Sequence, residues 1–243
     1  MTLDEFIARA CPIIGSVGSA FYFAPETVAV GKANGIDGFR FYFLGRGGVL
    51  GDVEPAVVQS AFGYFAPAVV TRMWTTAREK MAPRDAARLY MKCAHEFGRA
   101  KFGALAEIDA FNDAAEKVVR TADVAGLALF AGIAAEPLAA DGPARAMQLT
   151  AVLREFRGSA HLVAVLASGL EARIAHYLRR PNDYTSFGWP DPYPEGTDDD
   201  RRKLAAADAL TDQLVTPAYG VLEVSERAVL LSGLRAMQAA LAG

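Results

Sequence analysis

The chain has 243 residues, 52% of them hydrophobic, with 25 basic and 28 acidic side chains and a formal charge of −3. That length buries a sizeable core in one or two domains. The charge balance gives no global basic field to draw in nucleic acid or anionic lipid, so DNA binding needs a local patch, and two cysteines, Cys11 and Cys93, are too few and too far apart for a disulfide scaffold or a cysteine metal site.

The opening MTLDEFIARA predicts a helix, with Thr2 and Glu5 at capping-box spacing and Asp4 and Glu5 where a secretory leader carries positive charge. The uncharged run from Ala10 to Pro25 is interrupted by Pro12, Gly15 and Gly18, and the apolar run Val124–Ala135 has only 12 residues. Both fall short of a membrane span. With two thiols expected to stay reduced and buried, this predicts a cytoplasmic chain with no membrane partner.

SAFYFAP, ending at Pro25, and SAFGYFAP, ending at Pro67, share little past their prolines beyond apolar character, so they are not units of a tandem repeat. Each places aromatics before a proline suited to a helix start. Two readings are open: helix ends that meet in one aromatic core, or two walls of one apolar cavity, with Tyr22, Phe23, Phe62, Tyr64 and Phe65 as the wall. Between them, GFRFYFLGRGGVLGD (Gly38–Asp52) alternates Phe39, Phe41 and Phe43 with Arg40, Tyr42 and Leu44 and ends in glycines around Arg46. It lacks the Walker lysine and the dinucleotide fingerprint. Arg46, on a glycine-rich turn, is expected to meet a carboxylate of a ligand, of Glu26 or of Asp52.

From Arg84 to Thr121, Leu89, Cys93, Phe97, Phe102, Leu105, Ile108, Phe111 and Val118 recur near helical spacing, with Pro83 in the first turn and Gly98 and Gly103 as points of kinking or close approach. Pro143 opens another helix in the same way. Within Leu153–Leu178, Arg157 and His161 are four apart and share a helical face provided Gly158 does not break the helix. A guanidinium beside an imidazole favours the neutral ring, which makes this pair the candidate for anion binding or acid–base catalysis. His95, His161 and His176 form no metal-binding pattern, and no metal site is predicted. No haem-attachment motif or nucleophile elbow is present, and no cofactor is identified.

RRPNDYTSFGWPDPYPEGTDDD, which starts at Arg179, holds four prolines and two glycines and predicts a long loop from Arg180. A helix from about Asp200 to Leu214, a strand-like GVLEV at Gly220–Val224 and a final helix capped by Ser225 give a winged-helix order. The expected fold is therefore all-α with a small β wing, divided into a helical part over 1–140 that holds the aromatic cluster and a degenerate winged-helix-like part over 141–243.

YFAPE, YFLGRGGVLG, AFGYFAP and LREFRGSAHLVAVLASGL, together with GW at Gly188–Trp189, resemble the SalK-like helix-turn-helix family of actinomycetes, itself distantly similar to MarR-type winged-helix regulators. The matching positions are Tyr22, Pro25, Glu26, Arg46, Gly51, Phe62, Pro67, Arg157, Gly158, His161, Gly169 and Trp189. Where that family more often reads Arg-Gly-Asp-Gly-His, this chain has Ser159 and Ala160 between Gly158 and His161, which removes a carboxylate and keeps the arginine and histidine.

These residues point to a protein that binds a small organic ligand in a sensory or accessory role, through Tyr22, Phe23, Glu26, Arg46, Phe62, Tyr64, Phe65, Arg157 and His161. The resemblance supports an alternative, a dimeric DNA-binding regulator with basic patches at Arg179, Arg180, Arg201 and Arg202. Asp198, Asp199 and Asp200 stand against it, because they repel phosphate where a recognition helix starts. A third reading is an enzyme using His161 with Arg157 or Arg46.

Overall fold

The structure is a computed structural model that describes residues 1–242, and among the described residues the regular elements are twelve α-helices and two short 3₁₀ turns, with no strand. Helix α1 (Leu3–Gly18) begins at the capping box the sequence predicts: the Glu5 N–H donates to Thr2 Oγ1 at 3.2 Å, and the Thr2 N–H donates to Glu5 Oε2 at 3.0 Å. Helices α2 (Pro25–Ala33) and α5 (Pro67–Arg78) each start on the proline of a YFAP segment. Gly35, at φ +72°, turns the chain away from the end of α2.

Helix α3 (Gly38–Gly47) replaces the alternating segment and glycine-rich turn that the sequence implied. Asp37 caps it by accepting from the N–H groups of Phe39 and Arg40, so Arg46 is carried on a helix rather than on a flexible turn. A 3₁₀ turn (Gly48–Leu50) and α4 (Pro55–Ala61) lead to α5.

The periodic stretch from Arg84 to Thr121 is two helices, α6 (Pro83–Phe102) and α7 (Ile108–Thr121). The chain turns between Gly103 and Glu107, and Glu107 takes a left-handed conformation at φ 57°. After α8 (Ala128–Ala134) comes α9 (Gly142–Ala167), which runs unbroken through Gly158. The proline-rich loop succeeds the short α10 (Ala172–Arg179), and α11 (Asp198–Tyr219) and α12 (Val224–Ala242) complete the chain.

The predicted β wing does not form. Gly220–Glu223 is the turn between α11 and α12, because an isolated apolar pentapeptide has no second strand to pair with. Ser225 lies inside α12, and the capping position belongs to Glu223. Its carbonyl accepts from the Arg227 N–H at 2.9 Å, and its own N–H donates to Glu226 Oε2 at 2.7 Å.

Helix α9 is the axis of the molecule, with α1, α6, α7, α8 and α11 packed around it. Its first half is buried almost all round, from Ala144 to Phe156. One contiguous apolar cluster extends from Phe6 on α1 to Met237 on α12 and includes residues on both sides of position 140. A smaller one, Ala164, Val165, Leu170, Ala175 and Ala207, joins the far end of α9 to α10 and α11. Cys11 and Cys93 are buried free thiols, and burial pushes each up to about 11. None of the described helices is long and apolar enough to cross a membrane.

Candidate functional site

The two YFAP segments meet through Tyr42 on α3. Its ring lies 5.4 Å from Tyr22, 6.0 Å from Phe62 and 6.2 Å from Phe65, and all three partners are buried. Phe23 stacks on the same tyrosine at 5.2 Å and stays half exposed. The segments thus close on one another as an aromatic core. Concavities of the described surface include a cleft of about 40 Å³ between α7 and α12 against Phe111 and Gly233 and an open depression along α7 at Glu116 and Arg120, neither of them lined by these rings.

Arg46 finds neither Glu26 nor Asp52. It forms a two-pronged pair with Glu155 of α9, Nε to Oε1 at 2.8 Å and Nη2 to Oε2 at 2.7 Å, while Nη1 donates to Tyr42 Oη at 3.0 Å. Tyr22 Oη donates to Glu155 Oε1 at 2.7 Å, and Arg154 Nη1 donates to the same oxygen at 2.8 Å. Phe62 lies under the Arg46 guanidinium at 4.3 Å. Burial opposes the charge on Glu155, but Arg46 and Arg154 overcome it and hold the carboxyl at about 2. Glu26 is exposed on α2 and takes no part, and Asp52 pairs with Arg78.

Arg157 and His161 share a face of α9, as their spacing predicts, and both turn toward α11. Arg157 Nη1 donates to Asp212 Oδ1 at 2.7 Å. His161 Nδ1 lies 2.9 Å from Thr211 Oγ1, whose own hydrogen is donated to the Ala207 carbonyl at 2.6 Å. Thr211 therefore accepts from Nδ1–H, which fixes the tautomer and leaves His161 Nε2 with its lone pair and no partner among the described residues. Burial, reinforced by Arg179 and Arg157 and opposed by Asp208 and Asp212, lowers this imidazole to about 4. Arg157 acts on the ring in the direction the sequence implied, behind burial and Arg179.

Tyr64 stacks on His161 at 6.3 Å and faces His176 at the same separation. Phe187, from the proline-rich loop, continues the series at 3.9 Å from His176 and 3.9 Å from Phe65. Tyr64 Oη and His176 Nε2 are buried with no hydrogen-bond partner. Burial pushes the Tyr64 phenol up and His176 down, so both are neutral near pH 7.

The predicted residues thus divide between two centres. Tyr22, Phe62, Phe65 and, at its edge, Phe23 gather around Arg46, while Tyr64 accompanies His161, with Phe187 between the groups. Sequence reasoning missed Glu155, Arg154, His176 and Phe187. The signal for Glu155 was its place among the apolar residues that dominate Ala144–Phe156, where a buried carboxylate requires a cation.

The basic groups near α11 are largely paired. Arg202 and Lys203 meet Asp199 at 3.0 and 2.9 Å, Arg179 meets Asp208, and Arg180 lies 3.8 Å from Asp183. Asp200 completes a capping box with Thr197. The acidic triplet therefore serves the start of α11.

No curated protein and no solved structure matches the chain. A family described as a helix-turn-helix family matches residues 8–192, from within α1 into the proline-rich loop. That span takes in the Arg46–Glu155 centre and the rings of the other, whose α11 partners Thr211 and Asp212 lie beyond it, and it covers most of the chain, which therefore belongs to this helix-turn-helix family.

Proposed function

We propose that this protein binds a small organic ligand in a sensory or accessory role, on a regulator-type helix-turn-helix scaffold, with the site at the seam of Tyr64, α9, α10 and α11. The observation that carries this reading is a pair of buried polar atoms without partners on neighbouring rings, Tyr64 Oη and His176 Nε2, beside the free lone pair of the partly exposed His161 Nε2. Folded proteins seldom leave buried polar groups without partners, and a set of them on aromatic faces fits a ligand that carries hydrogen-bonding groups. Arg157 and Arg179 are balanced by Asp212 and Asp208, so the walls are electrically neutral and favour an uncharged ligand.

Native mass spectrometry of the protein as purified from its own host tests this. The expected spectrum shows a small-molecule mass increment on the wild type that is lost from His161→Ala. A bare chain in both would sink the reading.

Family membership favours a second reading, a DNA-binding regulator. The pairing of Arg179, Arg180 and Arg202 with carboxylates counts against it, although exposed pairs of this kind are weak and exchange readily. Retention on the protein's own upstream DNA, falling steeply as salt rises, would move the assignment to this reading.

A further inference from the structure

Phe187 is held in a slot one ring thick. His176 covers one side at 3.9 Å and 28°, and Phe65 is stacked at 3.9 Å and 10°. The loop that delivers it is fastened by two hydrogen bonds to the second YFAP segment: the Ala66 N–H donates to the Phe187 carbonyl at 2.9 Å, and Trp189 Nε1 donates to the Tyr64 carbonyl at 2.8 Å. Between them Gly188, at φ +85°, lies so close to Val69 that a Cβ would come within 2.1 Å of Cγ2. Residues 187–189 therefore form a strap pinned across Tyr64 and His176, two of the rings whose buried polar atoms have no partner.

A phenylalanine answers the shape of this slot but not its chemistry. Its flat face satisfies the two stacked neighbours, yet its edge offers nothing to Tyr64 Oη, the unpartnered hydroxyl on the ring next to His176. A planar molecule with a hydrogen-bonding substituent would answer both. We propose that Phe187 is the internal occupant of a ligand slot, and that an uncharged aromatic molecule carrying a hydrogen-bonding group takes its place between His176 and Phe65 when the strap lifts. The inference rests on the small-ligand reading above and adds to it the ligand's class and route of entry. The hydrogen bonds that hold Phe187 in place are the two tethers and the turn bonds from the Phe187 and Gly188 N–H groups to the Asp183 and Thr185 carbonyls, all of them within the loop or between it and the second YFAP segment, so the helices need not separate.

Calorimetric titration of the full-length protein with benzamide, with toluene as the control, tests the proposal. In Phe187→Ala, benzamide binding is expected to tighten by about tenfold over wild type, because the competing side chain is gone. Benzamide should also bind tighter than toluene, and Tyr64→Phe in the same background should erase that preference. A Phe187→Ala protein that prefers toluene has gained an ordinary apolar cavity, and that result overturns the proposal. Equal benzamide affinity in wild type and variant overturns it too, since Phe187 is then no competitor. Should Phe187→Ala not fold, Phe187→Leu keeps most of the volume without the flat face and is expected to show a gain of a few fold; no gain there counts against the proposal. These titrations report on the place of Phe187 whatever the natural ligand is, whereas the native mass spectrum reports whether one is carried, so the two readings fail separately.

Discussion

Two guanidiniums share one carboxylate at the aromatic core, and Glu155 is the member on which the others depend. It accepts from Arg46, Arg154 and Tyr22 at once, and its removal strands two cations where water is scarce. Leaving a buried charge without its partner costs several kcal/mol, whereas losing the surplus member of a triad leaves an intact pair. Glu155→Gln is therefore expected to lower the unfolding free energy in urea by about 3–5 kcal/mol, and Arg154→Met by only about 1 kcal/mol. Equal costs would show that Arg154 is as necessary as the carboxylate itself. The hydroxyl of Thr211 has a comparable influence at the other centre, for by donating to the Ala207 carbonyl it decides which nitrogen of His161 keeps a lone pair.

Helix α6 crosses α9 at Gly98, where a Cβ would come within 2.4 Å of the Pro143 carbonyl oxygen and 2.8 Å of Met147 Cβ. Alanine is the better helix former by about 1 kcal/mol, but these neighbours are backbone and a short buried stem that cannot swing away. Gly98→Ala is expected to destabilise by about 2 kcal/mol net, measured by urea denaturation. A stabilised variant would mean that the two helices can part at no cost. The sequence marks this glycine as a point of close approach but cannot say against what. Helix starts are legible where the cap is local, as at Thr2, Pro25, Pro67 and Pro83. The break at Gly103–Glu107 is harder to see, because Leu105 and Ile108 carry the apolar period straight across it. The alternating phenylalanines of α3 look like a strand until Asp37 is recognised as a cap and the chain's other partners prove to be helices. GVLEV fails as a wing for a related reason: pairing is a property of two segments, and only one is present. The contact between Arg46 and Glu155 spans a separation that no local pattern encodes, although the helical environment of each end indicates that both need partners.

Across the whole molecule, the continuous cluster from Phe6 to Met237 and the central course of α9 argue for one cooperative unit spanning both predicted parts. All three histidines are held below their ordinary value, chiefly by burial, so between pH 6.5 and the folded-state values the unfolded chain binds more protons. Stability is therefore full above about pH 6.5 and falls as the pH drops; His161, lowered to about 4, alone accounts for about 2 kcal/mol by pH 5. Glu155, at about 2, adds its own loss below about pH 4.5. Urea unfolding monitored by circular dichroism and tryptophan emission is expected to give coincident single transitions whose midpoint drops from pH 7.5 to pH 5, with a shallower drop in His161→Gln. Transitions that separate would instead divide the chain near residue 140. The two buried cysteines carry a further consequence. With thiols near 11 and little contact with solvent, Cys11 on α1 and Cys93 on α6 yield almost no thiolate to an alkylating reagent while the fold is closed. Because these helices pack on α9 from separate positions, the order in which the two sulfurs become labelled reads out which side of the bundle opens first.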